Sequence, residues 1–110
     1  MHSKYASVPR LDNEKQLLRF LCASGEDIVR RRKLLQQLRQ YSWRNKEHQV
    51  LFEAIGELLT TAPQQIVGHL PAAVTRLGFP DVSCDALADP PRINAAAAFA
   101  LAEELLRASQ

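Results

Sequence analysis

The side chains that could do chemistry in this chain are few and scattered. His2, His48 and His69 each stand alone, with no Cys, Asp or Glu at metal-ligand spacing on the same helix face. Glu53 and Glu57 form an i, i+4 carboxylate pair. Acid/base or di-metal work would need a matching Glu-x-x-His on a neighbouring helix, and the chain has none. Ser24, Ser42 and Ser83 lack the strand–turn–helix setting that exposes a nucleophile. The four glycines never cluster into a loop that could cradle a phosphate. Cys22 and Cys84 are isolated from each other in sequence and sit in apolar or helical surroundings, which favours buried free thiols over a disulfide or metal ligands. Catalysis is not expected, and neither is a metal or a cofactor.

Charge is more informative. A net charge of +2 over 110 residues conceals a block between Ile28 and Lys46 that holds seven of the 14 basic residues and no acid. These are Arg30, Arg31, Arg32, Lys33, Arg39, Arg44 and Lys46. The rest of the chain is net acidic, with 12 carboxylates against seven bases. Arg and Lys can neutralise phosphates, so nucleic acid is one candidate partner. Four consecutive residues spray around a helix, however, and Tyr41 and Trp43 are the only aromatics near enough to stack on bases. A solvated, salt-bridged surface is the plainer reading, with an acidic protein partner next. Arg30, Arg32, Lys33, Arg39 and Arg44 are the candidate contact residues.

The elements that would carry these groups are helical throughout. The clearest is Asn45 to Leu59, where His48, Leu51, Phe52, Ile55, Leu58 and Leu59 recur at three-and-four spacing. Asn45 is a natural N-cap, and Glu47 in the first turn suits the helix dipole. Upstream, residues 1–11 carry no periodicity and read as a flexible arm. A helix capped by Asp12 or Asn13, with Gln16 closing a capping box, buries Leu17, Leu18, Leu21 and Cys22 and stops at Ser24-Gly25. A second helix opens at Glu26-Asp27 and runs to about Gln40, with Ile28, Leu34, Leu35, Leu38 and Tyr41 on one face. Arg31 falls in the middle of that face. It either snorkels or pairs with a carboxylate at the core's edge, or the helix breaks near it. Trp43 precedes the Asn45 cap as a wedge between helices and is counted with the structural core.

Beyond Pro63, Gln64 to Leu70 reads as a short helix, and Pro71 as the start of another whose apolar face is Ala73, Val74 and Leu77. Gly78-Phe79-Pro80 is a stop signal, with Gly78 in the left-handed conformation. One turn started by Ser83 is expected before Pro90-Pro91. A final Ala-rich helix runs from about Arg92 to Arg107, apolar nearly all round, and so is either central or shared with a second copy. With 46% hydrophobic residues the chain can bury a core as one domain over residues 12–110. No apolar run approaches the roughly 20 residues of a membrane span, and no signal-peptide core opens the chain, which points to the cytoplasm. The expected fold is all-α: a compact bundle of five to six helices around a central helix near 45–59.

The run Gln16-Leu17-Leu18-Arg19-Phe20-Leu21, then Leu35 and Leu38, then Trp43 to Ile55 resembles the helical domain shared by the N-terminus of the replicative DnaB helicase and the C-terminus of bacterial DnaG primase. Trp43 stands where that family has an aromatic, Asn45 where it has Asp or Asn, His48 at its His and Phe52 at its Phe. Lys46 replaces a frequent Pro. The resemblance covers residues 14–60 and leaves the second half of the chain outside it. It implies a non-catalytic protein–protein interaction module that docks on a replicative helicase or primase. The family's His and Phe are implied to be structural.

Overall fold

The computed structural model describes residues 10–23 and 25–108, and the expected arm at residues 1–9 lies outside them. Helix α1 spans Arg10–Cys22. Glu14, Leu17, Leu18 and Leu21 form its i, i+3, i+4, i+7 stripe, and Gln16, Phe20 and Cys22 are buried beside them. Apolar residues on most sides make it an interior helix. It starts earlier than a cap at Asp12 or Asn13 would allow. Gln16 closes no capping box, because its Oε1 instead accepts the Arg92 N–H at 2.9 Å and ties down the entry to the last helix. Of the Ser24-Gly25 stop, Ser24 lies outside the described residues.

Helix α2, Ile28–Leu38, is capped by Asp27, whose Oδ1 accepts the Val29 N–H at 2.8 Å. It is unbroken at Arg31. Arg31 neither snorkels nor meets a carboxylate: it is fully buried, and its Nη1 donates to the carbonyls of Leu21 (3.3 Å) and Pro63 (3.0 Å). The Leu21 carbonyl belongs to the last turn of α1, where carbonyls lack helical partners and a cation is favoured by the dipole. A long stem with a planar fork reaches such acceptors from the middle of an apolar face. Carboxylate pairing was the wrong expectation: backbone oxygens, invisible in a sequence pattern, hold Nη1, while Nε and Nη2 are buried without a hydrogen-bond partner among the described residues. The helix ends at Leu38, short of Gln40, in two tight turns closed by Arg39 N–H to Gln36 O and Tyr41 N–H to Leu38 O.

Helix α3, Lys46–Thr61, is the longest and packs on α1 and α2 and on helix α4, Ile66–Arg76. Asn45 Oδ1 accepts from both Glu47 N–H (2.7 Å) and His48 N–H (3.3 Å). All six residues of the predicted stripe are buried, together with Val50 and Ala54. The two pieces expected around Pro71 are one helix, α4, with Pro71 inside it. An interior proline costs about 3 kcal/mol. Burial of Ile66, Leu70 and Val74, which lie on one stripe to either side of it, returns roughly 5–9 kcal/mol. Tertiary packing on α3 therefore overrides the break, and Pro71 faces solvent.

The stop after α4 is as expected. Gly78 has φ +94°, Phe79 N–H bonds Val74 O at 2.9 Å and Gly78 N–H bonds Thr75 O at 2.9 Å, the paired bonds of a Schellman terminus. A 3-10 turn, Asp85–Ala88, follows Ser83, whose Oγ accepts the Asp85 N–H, and buries Leu87 against α1. Helix α5, Ala95–Ala108, begins after Arg92 rather than at it, because Asn94 is the cap and accepts the Ala97 N–H at 2.8 Å. Its buried face is Ala98, Ala102 and Leu105, laid against α1 and α2. The described residues thus form an all-α bundle of five α-helices and one 3-10 turn, with no strand. No helix among them is long and apolar enough to cross a membrane.

Replacing Gly78 with Ala forces a Cβ into the left-handed region and is expected to cost about 1–2 kcal/mol. A urea melt with an unchanged midpoint would contradict the Schellman terminus.

Candidate interaction surface

The α2–α3 corner is set by a carboxylate that sequence reasoning passed over. Glu14 is fully buried, one turn before Leu17 and Leu18 on the core stripe of α1. Its Oε2 accepts the Tyr41 hydroxyl at 2.5 Å and the Arg44 N–H at 2.7 Å. Its Oε1 lies 2.8 Å from His48 Nδ1, which must carry the proton because an ionised carboxylate only accepts. Burial pushes the Glu14 carboxyl up, but the bonds from His48, Arg44 and Tyr41, with the charge interaction from His48, outweigh it and hold the group below its ordinary value. Position was the available signal: an acid at i−3 and i−4 of two core leucines has to be matched by donors inside.

His48 therefore bonds a side chain of α1, far upstream and not in the segment just before its own helix. Trp43 packs 5.0 Å from both the Tyr41 and Phe52 rings, edge-on to the first and tilted to the second. It is a half-buried wedge and not the core residue expected. The part it leaves in water does not include Nε1, which is buried without a hydrogen-bond partner among the described residues. Leu18, Leu21, Leu35, Leu38, His48, Leu51, Phe52, Ile55, Leu58 and Leu59 are all buried.

On this frame Arg30, Arg32, Lys33, Arg39 and Arg44 are exposed, and none of them forms an ion pair among the described residues. The salt-bridged part of the plain surface reading is thus missing for these five. They do not converge either. Arg32 and Arg39, seven residues apart, share one edge of α2, while Arg30 lies on the opposite edge and Lys33 points away from the core. Arg44 stands in the turn before α3, with its backbone tied to Glu14. Lys46 lies with Nζ 5.8 Å from the centre of the exposed Phe79 ring. Tyr41 and Trp43 are turned into the packing, which leaves Phe79, beside Lys46 alone, as the exposed ring next to the basic block among the described residues.

The other candidate chemistry stays dispersed. His69 meets only Gln65, at 3.2 Å on its own helix, and His2 lies outside the described residues. Glu57 pairs with Arg76. No group of three His, Cys, Asp or Glu capable of holding a metal occurs among the described residues. Both cysteines are free; burial pushes the Cys22 thiol up to about 12, while Cys84 is only half-buried, contrary to expectation, because it precedes the 3-10 turn and not a helix face.

Replacing Glu14 with Gln removes the charge from three bonds and sets an amide against three donors; a loss of about 2–3 kcal/mol at pH 7 is expected. Because the folded-state pKa is lowered, the carboxylate's contribution is complete above about pH 5 and is lost as pH falls through the folded value. Urea midpoints of parent and variant should therefore converge on acidification, and a gap that stays constant down to the acid limb would refute the charged network. No family model matches the chain, and neither does any curated protein or solved structure.

Proposed function

We propose that this chain is a non-catalytic helical interaction module that docks on a replication partner, a bacterial replicative helicase or primase. One observation carries the reading. The four positions on which the resemblance rests each have a physical task in the same turn: Trp43 wedges, Asn45 caps, His48 bonds Glu14 and Phe52 receives Trp43. A match on residues that cooperate in one geometry is stronger support than a match on an amphipathic pattern. The turn they build holds Arg44 and the end of α2 at the surface, beside cations with no ion pair of their own among the described residues.

Direct nucleic-acid binding is less favoured, since the cations diverge and the neighbouring aromatics are occupied. A homodimer through α5 is also less favoured. Ala98, Ala102 and Leu105 are used within the chain, the large residues Phe99, Leu101 and Leu106 are half-buried against its core, and the residues α5 leaves exposed are Ala96, Ala97, Ala100, Glu103, Glu104, Arg107 and Ala108.

The test is titration of the labelled chain with purified replicative helicase and, separately, purified primase. Saturable binding to one of them is expected, weakened about tenfold by reversing Arg32 and Arg39 to Glu. Binding to neither rejects the replication reading. Equal affinity for an unrelated DNA duplex, falling steeply with added salt, would favour nucleic acid instead.

A further inference from the structure

Between α2 and α3 the surface holds a notch of about 360 Å³, lined by Leu35, Arg39, Phe52, Glu53, Gly56 and Glu57. Its floor is apolar: Leu35 and Phe52 turn their residual exposure toward it, and Gly56 contributes no side chain. Gly56 sits inside α3, where glycine is the poorest ordinary helix former. Packing does not require it. A Cβ built at Gly56 would meet only the Leu35 methyls, at 3.7 Å, which is ordinary contact. A residue that weakens its helix without being needed by its neighbours is explained if the space beside it has a use.

The walls are of opposite sign. The α2 side carries Arg39 and, two turns earlier on the same edge, Arg32, and α2 has no acid anywhere. The α3 side carries Glu53 and Glu57. Arg39 and Glu53 form no ion pair across the notch, and Glu53 has none elsewhere among the described residues, whereas Glu57 is held by Arg76. The notch therefore presents an apolar floor between an unpaired base and an unpaired acid.

We propose that this notch is the docking site for an amphipathic helix of a protein partner. That helix inserts one apolar side chain over Gly56, turns carboxylates toward Arg32 and Arg39, and turns a base toward Glu53. The inference deepens the interaction-module reading and rests on it for there being a partner, though not on that partner being a helicase or primase. A second copy of this chain is the poorer occupant. Among the described residues the exposed large apolar side chains, Val29, Leu77 and Phe79, lie on other elements or at the far end of α2, so none of them offers a knob for the notch on the α2–α3 face of a copy.

The probe is a synthetic helical peptide with a leucine seam, Glu along one flank and Lys along the other, paired with a peptide in which the two flanks are exchanged. With the isotope-labelled chain, amide shifts at Leu35, Phe52, Glu53 and Gly56 are expected for the first peptide, and about tenfold weaker binding for the second. Gly56→Ala should raise the thermal midpoint by about 3–6 °C while weakening the peptide several-fold. Gly56→Leu should abolish binding; a raised midpoint in Gly56→Ala together with weaker peptide binding would show that the alanine variant's loss of affinity does not come from unfolding. No shift at these residues at about 1 mM peptide, equal binding of both polarities, or affinity unchanged by Gly56→Ala would each overturn the proposal. Helicase or primase binding that survives Gly56→Leu would overturn the notch and leave the replication reading standing. Peptide binding without helicase or primase binding does the reverse. Self-association on light scattering that is lost in Gly56→Leu would assign the notch to a second copy and also overturn it.

Discussion

A carboxylate without solvent access has to be satisfied from within, and at Glu14 that requirement organises the first half of the molecule. An ionised carboxyl taken out of water unmatched is among the costliest things a core can hold. Here three donors meet it, and they come from three places in one short stretch: the Tyr41 hydroxyl, the Arg44 amide and the His48 ring. The chain between α2 and α3 is thus not free to choose its path. The end of α2, the Trp43 wedge and the Asn45 cap are all fixed relative to α1 by one side chain, and the edge of α2 that carries Arg32 and Arg39 is fixed with them. Removing one donor would leave the charge buried and short of partners, so these contacts act as a unit.

Arg31 plays the complementary part. A buried guanidinium reaches carbonyls of α1's last turn and of the α3–α4 connection from the centre of α2's apolar face. Glu14 ties α1 to the α2–α3 turn, and Arg31 ties α1 to the connection between α3 and α4. Between them, the two charged residues of lowest exposure among those described cross-link three helices through hydrogen bonds whose geometry is directional, in a core otherwise mostly aliphatic. Aliphatic packing alone tolerates sliding between helices; two oriented polar anchors do not.

Much of this was legible in the residues. The α3 stripe, the Asn45 cap, the all-helical class and the Gly78 terminus each follow from a local pattern with a local cause. The features that were not legible depended on partners distant in sequence. Pro71 reads as a break until the burial of Ile66, Leu70 and Val74 on α3 is known. Arg31 reads as a misplaced charge until the carbonyls of residues 21 and 63 are brought beside it. Glu14 reads as one more helix acid until the Tyr41 hydroxyl, the Arg44 amide and the His48 ring are brought to it. For the surface, the periodicity located the exposed bases but not the notch, because a concavity between two helices is a property of their packing, which brings Leu35 of α2 beside Gly56 of α3.

The two thiols differ in a way that makes the fold observable from outside. Cys22 is 5% exposed, at the C-terminal end of α1, and burial pushes its thiol up to about 12, which leaves little of the thiolate that an alkylating reagent attacks. Cys84 is half-buried beside the 3-10 turn. Slow labelling at residue 22 therefore counts excursions in which the C-terminal end of α1 leaves its packing, while labelling at residue 84 reports its own local accessibility. The molecule carries its own clock for internal opening, with a second hand to calibrate it.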